Sequence, residues 1–318
     1  MNTPGDAYLR RAPLSPGDRV ALVAPSGPGS DESIAHAVGS LEAWGLEVSL
    51  GKNIHATDPD FPYLAGTDRQ RREDLVEAWT DPTVDAVVCL RGGYGAMRLL
   101  DEIDWDAMRR GTARPDGRPK LLTGSSDITA LHEAWSAHLG VATLFSPMPG
   151  NDVFQNSERI RGDVHRWLFE PWAGRSLVGP RTETLVPGDA RGIATGGNLS
   201  LISAGIGAEE HRPPTGAVAF LEDVGEEPYR LDNLMLQLRR SGWLATAAGV
   251  VLGSWEDCGD PGLVRRVVSG YVADLGVPVL WEEGFGHDPD ALSVPLHVPV
   301  TLHAPSAGKP DLCVGVAA

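Results

Sequence analysis

The chain is short of cysteine, of positive charge and of long apolar runs, and each shortage closes off a class of function. Its three cysteines among 318 residues, Cys89, Cys258 and Cys313, are far apart and odd in number. With no CxxC or Cys/His spacing, neither a disulfide framework nor a zinc site is expected. Cys89 lies inside an apolar strand pattern and reads as core. Lys and Arg number 27 against 43 Asp and Glu, a formal net charge of −16. Nucleic acid and anionic membranes reward clustered cations, so neither is expected as a partner. No run approaches membrane-spanning length, and the polar, proline-containing stretch Met1 to Gly17 does not resemble a signal peptide. A soluble cytoplasmic protein is the expectation. No internal repeat or low-complexity tract is evident.

What the chain does contain is alternating strand and helix. Arg19 to Ala24 is β-rich and ends at the turn signal Pro25-Ser26-Gly27-Pro28, after which Ser30 caps a helical stretch to about Trp44. Leu46 to Leu50 reads as a strand, Thr67 to Trp79 as a helix, and Val84 to Leu90 as a strand covered on both faces of a parallel sheet. Lys120 to Thr123 and Val141 to Phe145 continue the series. Residues 1–150 therefore read as a doubly wound α/β domain with a parallel sheet. Residues 151–188, rich in proline around one helical piece from Ser157 to Phe169, read as a connector in which Trp167 and Trp172 pack by default. Residues 189–318 read as a smaller α/β domain with a β-rich core: strands at 217–221, 250–255 and 277–281, helices at 228–244 and 263–275, and a β-rich tail.

Two turns stand where ligands of open α/β sheets bind, beyond the carboxyl ends of strands. Arg91-Gly92-Gly93-Tyr94-Gly95 follows one strand. It lacks the spacing of the nucleotide motifs and fits a cradle for an oxyanion or carboxylate, or a plain tight turn. Gly124-Ser125-Ser126-Asp127 follows the next strand and opens a helix. Ser126 or Asp127 there is in the ordinary case a helix cap. Beside a glycine cradle and at a sheet edge, Ser126 is also placed as a nucleophile, with helix-start N–H groups beside it to receive an oxyanion.

A serine needs a base, and the base an orienting acid. His36, His132, His138 and His165 fall in helical patterns, His297 and His303 in the tail, and His55 and His211 in polar loops. His287 follows Gly284-Phe285-Gly286 directly after a strand, in a loop that can aim a side chain into a cleft. Glu222 ends an apolar strand, with Asp223, Glu226 and Glu227 as competitors. The order Ser126, acid, His287 is that of α/β-hydrolases, but their G-x-S-x-G elbow is absent.

These segments resemble the serine peptidases of the LD-carboxypeptidase family, which includes muramoyl-tetrapeptide carboxypeptidases and microcin C self-immunity peptidases. The resemblance runs from about Gly17 to Leu296. It rests on Gly17-Asp18-Arg19-Val20, Ala24-Pro25-Ser26-Gly27-Pro28, Leu64-Ala65-Gly66-Thr67-Asp68, Arg91-Gly92-Gly93-Tyr94-Gly95, Gly124-Ser125-Ser126-Asp127-Ile128-Thr129, Gly196-Gly197-Asn198-Leu199, Leu221-Glu222-Asp223-Val224-Gly225-Glu226 with Tyr229-Arg230-Leu231-Asp232, and Gly286-His287, all in the family's order. It implies two domains with the active site between them, Ser126 as nucleophile, Glu222 as acid and His287 as base. The backbone N–H of Asp127 and one from Gly92 or Gly93 are the implied oxyanion hole. Arg91, Tyr94, Ser125 and Trp255 are the expected substrate-binding residues. No metal or cofactor is implied, and the implied state is a cytoplasmic homodimer acting on a small peptide or peptide conjugate. The family usually has an aromatic residue where Ser125 stands. Within the family, release of terminal D-Ala from a murein tetrapeptide is the leading substrate reading and cleavage of an aminoacyl- or peptidyl-nucleotide amide the second. Outside it, a non-catalytic peptide-binding protein is the alternative.

Overall fold

The computed structural model describes residues 6–315 apart from Pro213 and Glu283. Five parallel strands, β1 (Arg19–Val23), β2 (Glu47–Leu50), β3 (Ala86–Cys89), β4 (Leu121–Gly124) and β5 (Thr143–Phe145), lie in the order β2-β1-β3-β4-β5. Alternate residues of one strand feed two different cores. Val20 and Leu22 of β1, with Ala86 and Val88 of β3, pack on one face, and Ala21, Val23, Val87 and Cys89 on the other. Burial on both faces is why these strands read as continuous apolar runs. The flanking helices start as their sequences require. Ser30 Oγ accepts the Ser33 N–H before Asp31–Ala43, and Thr67 forms a capping box with Gln70 before Asp68–Thr80.

The second sheet contains β6 (Glu183–Val186), β7 (Gly188–Asn198), β8 (Val218–Val224), β9 (Gly249–Glu256) and β10 (Val279–Trp281), and further on β12 (Pro299–Ala304) and β13 (Asp311–Val314). Its order is β13-β12-β7-β8-β9-β10-β6, with β7 to β10 parallel and both margins antiparallel. Helices Leu199–Ala204, Pro228–Ser241 and Pro261–Val272 cover one face through Leu199, Leu231, Leu238, Val264 and Val268.

Two segments depart from the sequence-based layout. Residues 183–186, inside the expected connector, pair antiparallel with β10 and close the second sheet. Between the strands of that sheet, β11 (Val294–Leu296) returns to the first sheet and pairs antiparallel with β5. A strand of three residues with proline at its centre carries no readable alternation, and its own place at the edge of the sheet is what tolerates the proline. The crossing fuses the two halves. Phe285 lies between Phe145 of β5 and Phe220 of β8, at ring distances of 5.6 and 5.5 Å. Trp167 and Trp172 are buried, and the Trp172 indole N–H donates to the Trp167 carbonyl.

Candidate active site

Strand β4 ends in a turn that bends too sharply for ordinary residues. Gly124 adopts φ 156°, where an added Cβ would press on Ile128 and Cys89. Ser126 has φ 59°, in the left-handed region that a non-glycine residue enters at a cost of about 1–3 kcal/mol. A short 3-10 turn, Ser126–Ile128, then leads into the helix Thr129–Ala134. Asp127 holds this strained geometry. Its buried carboxylate accepts the Ser26 hydroxyl at 2.5 Å and the Ala96 N–H at 2.8 Å, joining the loops after β1, β3 and β4. Burial pushes the Asp127 carboxyl up, opposed by these bonds and by the charge of Arg71. The Arg71 side chain has no exposed surface and donates to the carbonyls of Gly66 and Gly95.

The glycine turn lies against this serine. A Cβ on Gly92 would come within 2.9 Å of Ser126 Cβ and 3.2 Å of Oγ, so only glycine lets the two backbones approach. The Gly92 carbonyl is already committed to the Gly27 N–H at 3.1 Å.

The acid and the imidazole come from the second sheet. Asn198 ends β7 and pairs in register with Glu222 on β8. A register shift between Leu221 and Asp223 marks a bulge at Glu222, the device by which a strand re-aims one side chain. Glu222 has no exposed surface. Its Oε1 accepts Asn198 Nδ2 at 3.1 Å, and its Oε2 lies 2.8 Å from His287 Nδ1. Ser254 on β9 fixes the backbone of the same loop, its Oγ accepting the N–H groups of His287 at 2.9 Å and Asp288 at 3.1 Å. Gly286, at φ 111°, has no room for a Cβ, which would run into Glu222 Oε2. Burial alone would lower the His287 pKa, but the Glu222 carboxylate outweighs it and holds the imidazole above its ordinary value. Asp223 is pushed up to about 6 by burial and by the neighbouring Glu222 charge, opposed by bonds from Ser200, Val224 and Asn198. Glu226 meets Ser200 and Arg230 rather than the imidazole.

Ser126 and His287 line one cavity of about 310 Å³ with Arg91, Gly92, Gly93 and Met148. Among the described residues no hydrogen bond joins them, and no other histidine lines that cavity. His132, for example, is buried in the helix after Ser126 and bonds the Gly124 carbonyl. Ser125 is 5 % exposed and lies outside the cavity lining. Tyr94 lines an adjoining cavity. Trp255, expected to bind substrate, lines a different cavity of about 450 Å³ with Ser254, Trp281 and Arg181. Among the described residues, no group of three or more His, Cys, Asp or Glu side chains is arranged to hold a metal ion, and no helix is long and apolar enough to cross a membrane.

Residues 20–146 match the LD-carboxypeptidase N-terminal domain, and residues 191–302 match the LD-carboxypeptidase C-terminal domain. The chain belongs to the LD-carboxypeptidase family. It is a serine-type carboxypeptidase, a hydrolase. This LD-carboxypeptidase is similar to a putative carboxypeptidase of Streptomyces coelicolor, 44% identical over 310 residues that cover 96% of this chain and 98% of the relative. It is 32% identical over 280 residues to the murein tetrapeptide carboxypeptidase of Pseudomonas aeruginosa, covering 85% and 88% of the two chains. The crystal structure of muramoyltetrapeptide carboxypeptidase from Oxalobacter formigenes matches with a TM-score of 0.78 at 28% identity, covering 94% of this chain and 99% of that one.

Three residues that position groups in the candidate site of this LD-carboxypeptidase carry weak sequence signals. Ser254 is one serine in an apolar strand, and Gly286 is one of 38 glycines. Asn198, after two glycines, reads as a helix cap. It is one, since its Oδ1 accepts the Leu201 N–H, but the same amide also donates to Glu222 and Asp223.

Proposed function

We propose that Ser126, Glu222 and His287 are the catalytic triad of this carboxypeptidase, acting on an L,D C-terminal peptide bond such as that of the terminal D-Ala of a murein tetrapeptide. The observation that carries the reading is the strained Ser126 lining the same cavity as an imidazole whose other nitrogen is held by a buried carboxylate. With Nδ1–H donated to Glu222, the lone pair of Nε2 is available to a proton on Ser126 Oγ.

Ser126 Oγ attacks the scissile carbonyl carbon as its proton passes to His287 Nε2. The oxyanion is received by backbone N–H groups of Asp127 and the Gly92-Gly93 turn. Collapse breaks the C–N bond, His287 returns the proton to the leaving amine, and water hydrolyses the acyl-enzyme by the same base. The murein reading is supported by the 32% identity to a murein tetrapeptide carboxypeptidase over most of both chains. The same reading takes a cytoplasmic homodimer, whose subunit number sedimentation velocity measures directly.

Incubation with murein tetrapeptide and, separately, with an aminoacyl-sulfamoyl-adenosine, followed by mass spectrometry, tests the proposal. Release of D-Ala from the tetrapeptide is expected. Cleavage of the nucleotide conjugate alone would overturn the substrate, and peptide binding without any reaction would overturn the catalytic reading.

A further inference from the structure

A larger cavity, about 610 Å³ against about 310 Å³, opens beside the one that holds Ser126 and His287, and the two share Arg91 and Gly93. Its walls include Tyr63, Tyr94, Pro28 and Pro62. Tyr63 and Tyr94 are 52% and 53% exposed, with ring centroids 6.0 Å apart, and Phe61 extends the row 5.9 Å beyond Tyr63. The row is half-exposed, with the Arg98 guanidinium over the Phe61 ring at 5.8 Å, and contiguous half-exposed rings along a cavity mark a surface that meets a ligand. The loop bearing Tyr63 does not need the rings to hold its shape. Leu64 and Ala65 behind them are buried, and the Ala65 N–H donates to the Ser26 carbonyl at 2.9 Å.

Arg91 stands at the border of the two cavities. Its guanidinium donates to the Pro28 carbonyl at 3.2 Å, and among the described residues no carboxylate pairs with it. An unpaired guanidinium facing a cleft is a receptor for a carboxylate.

We infer that this second cavity is the subsite for the acyl side of the peptide, the residues upstream of the scissile bond, with Arg91 binding a carboxylate of that segment and Tyr63 and Tyr94 packing along it. The inference rests on the proposed function and extends it to a residue class. A carboxypeptidase releases one residue, which fills a fraction of the smaller cavity, so the larger one is available to the several residues that remain. An extended peptide advances about 3.3 Å per residue, so the two ring-to-ring steps span roughly three to four residues. That is the length of the acyl side of a tetrapeptide.

The test is binding, so that it reads independently of turnover. Ser126→Ala protein is titrated calorimetrically with L-Ala-γ-D-Glu-meso-diaminopimelyl-D-Ala and with meso-diaminopimelyl-D-Ala, which share the scissile bond. The tetrapeptide is expected to bind about tenfold or more tighter. Adding Tyr63→Ala and Tyr94→Ala should erase that difference and leave the dipeptide Kd within about twofold. Adding Arg91→Met should weaken the tetrapeptide but not its analogue with the D-Glu carboxyl amidated. A tetrapeptide that binds no tighter than the dipeptide, absence of binding at millimolar concentration, or equal losses for both peptides in the tyrosine variant overturns the inference. Wild-type protein that binds the tetrapeptide through these residues but never releases D-Ala would sink the catalytic reading and leave the subsite standing.

Discussion

His287 Nδ1 lies 2.8 Å from Oε2 of Glu222, a carboxylate with no exposed surface whose other oxygen is held by Asn198. The pair works in two ways. In the proposed triad it would select the Nδ1–H tautomer, leaving the Nε2 lone pair free, and stabilise the imidazolium formed on taking the Ser126 proton. Burial opposes the second effect and loses to it, so His287 titrates above an ordinary imidazole.

As the proposed base, His287 acts in its neutral form, so kcat/KM should rise with pH through the pKa of that residue, with its acid limb above the ordinary imidazole value of 6.5. Glu222→Gln removes the charge and leaves the burial. The acid limb should move to lower pH, and kcat should fall by roughly 10³ to 10⁴-fold, as for the orienting acid in other triads. A pH–rate profile of both proteins checks the sign. An unmoved limb would detach Glu222 from the base.

Strain at Ser126 predicts a trade of activity against stability. Ala suffers the same φ of 59°, whereas Gly does not. Ser126→Gly should therefore be more stable than Ser126→Ala by about 1 kcal/mol in urea unfolding, with both inactive. Equal midpoints would mean the turn is unstrained.

Gly92→Ala places a methyl group 2.9 Å from Ser126 Cβ without forcing an unfavourable φ on residue 92. The fold should persist, by circular dichroism, while kcat drops about 100-fold or more as the serine and its oxyanion cradle are pushed apart. Retained activity would place the cradle elsewhere.

His132 and His297 are buried, and burial lowers them from 6.5 to about 4 and about 3. The charge of His132 adds to the lowering of His297. Both rings are kept neutral by the fold, so protons bind the unfolded chain first. The stability they provide is complete above 6.5 and is lost as pH falls towards 4 and then 3, by up to about 1.4 kcal/mol per pH unit for each ring. Urea midpoints across that range measure it, and His297→Phe should flatten the slope. A slope unchanged by that variant would mean His297 is not the titrating group.

The parts of this architecture that were legible are those where local chemistry and burial agree. Apolar runs at β1, β3 and β4 are covered on both faces, Ser30 and Thr67 cap helices through their own hydroxyls, and Gly124-Ser125-Ser126 can only be a sharp turn. Less legible was the strand β7, whose Gly188, Gly192, Gly196 and Gly197 lack side chains to alternate. Those glycines serve close packing. A Cβ on Gly197 would meet Thr129, whose hydroxyl accepts the Asn198 N–H at 3.0 Å and ties the residue that holds Glu222 to the helix after Ser126. Such contacts between residues 69 positions apart, in different halves of the molecule, leave no periodic trace. Tyr63 was silent for a different reason, since an exposed ring in a loop means nothing until its cavity is seen.

D-Ala release from murein tetrapeptide by wild-type, Ser125→Ala and Ser126→Ala proteins, all confirmed folded, tests the central assignment most directly. Wild type and Ser125→Ala should turn over, and Ser126→Ala should lose several orders of magnitude in kcat. Wild-type turnover by Ser126→Ala, with loss in Ser125→Ala, would contradict it.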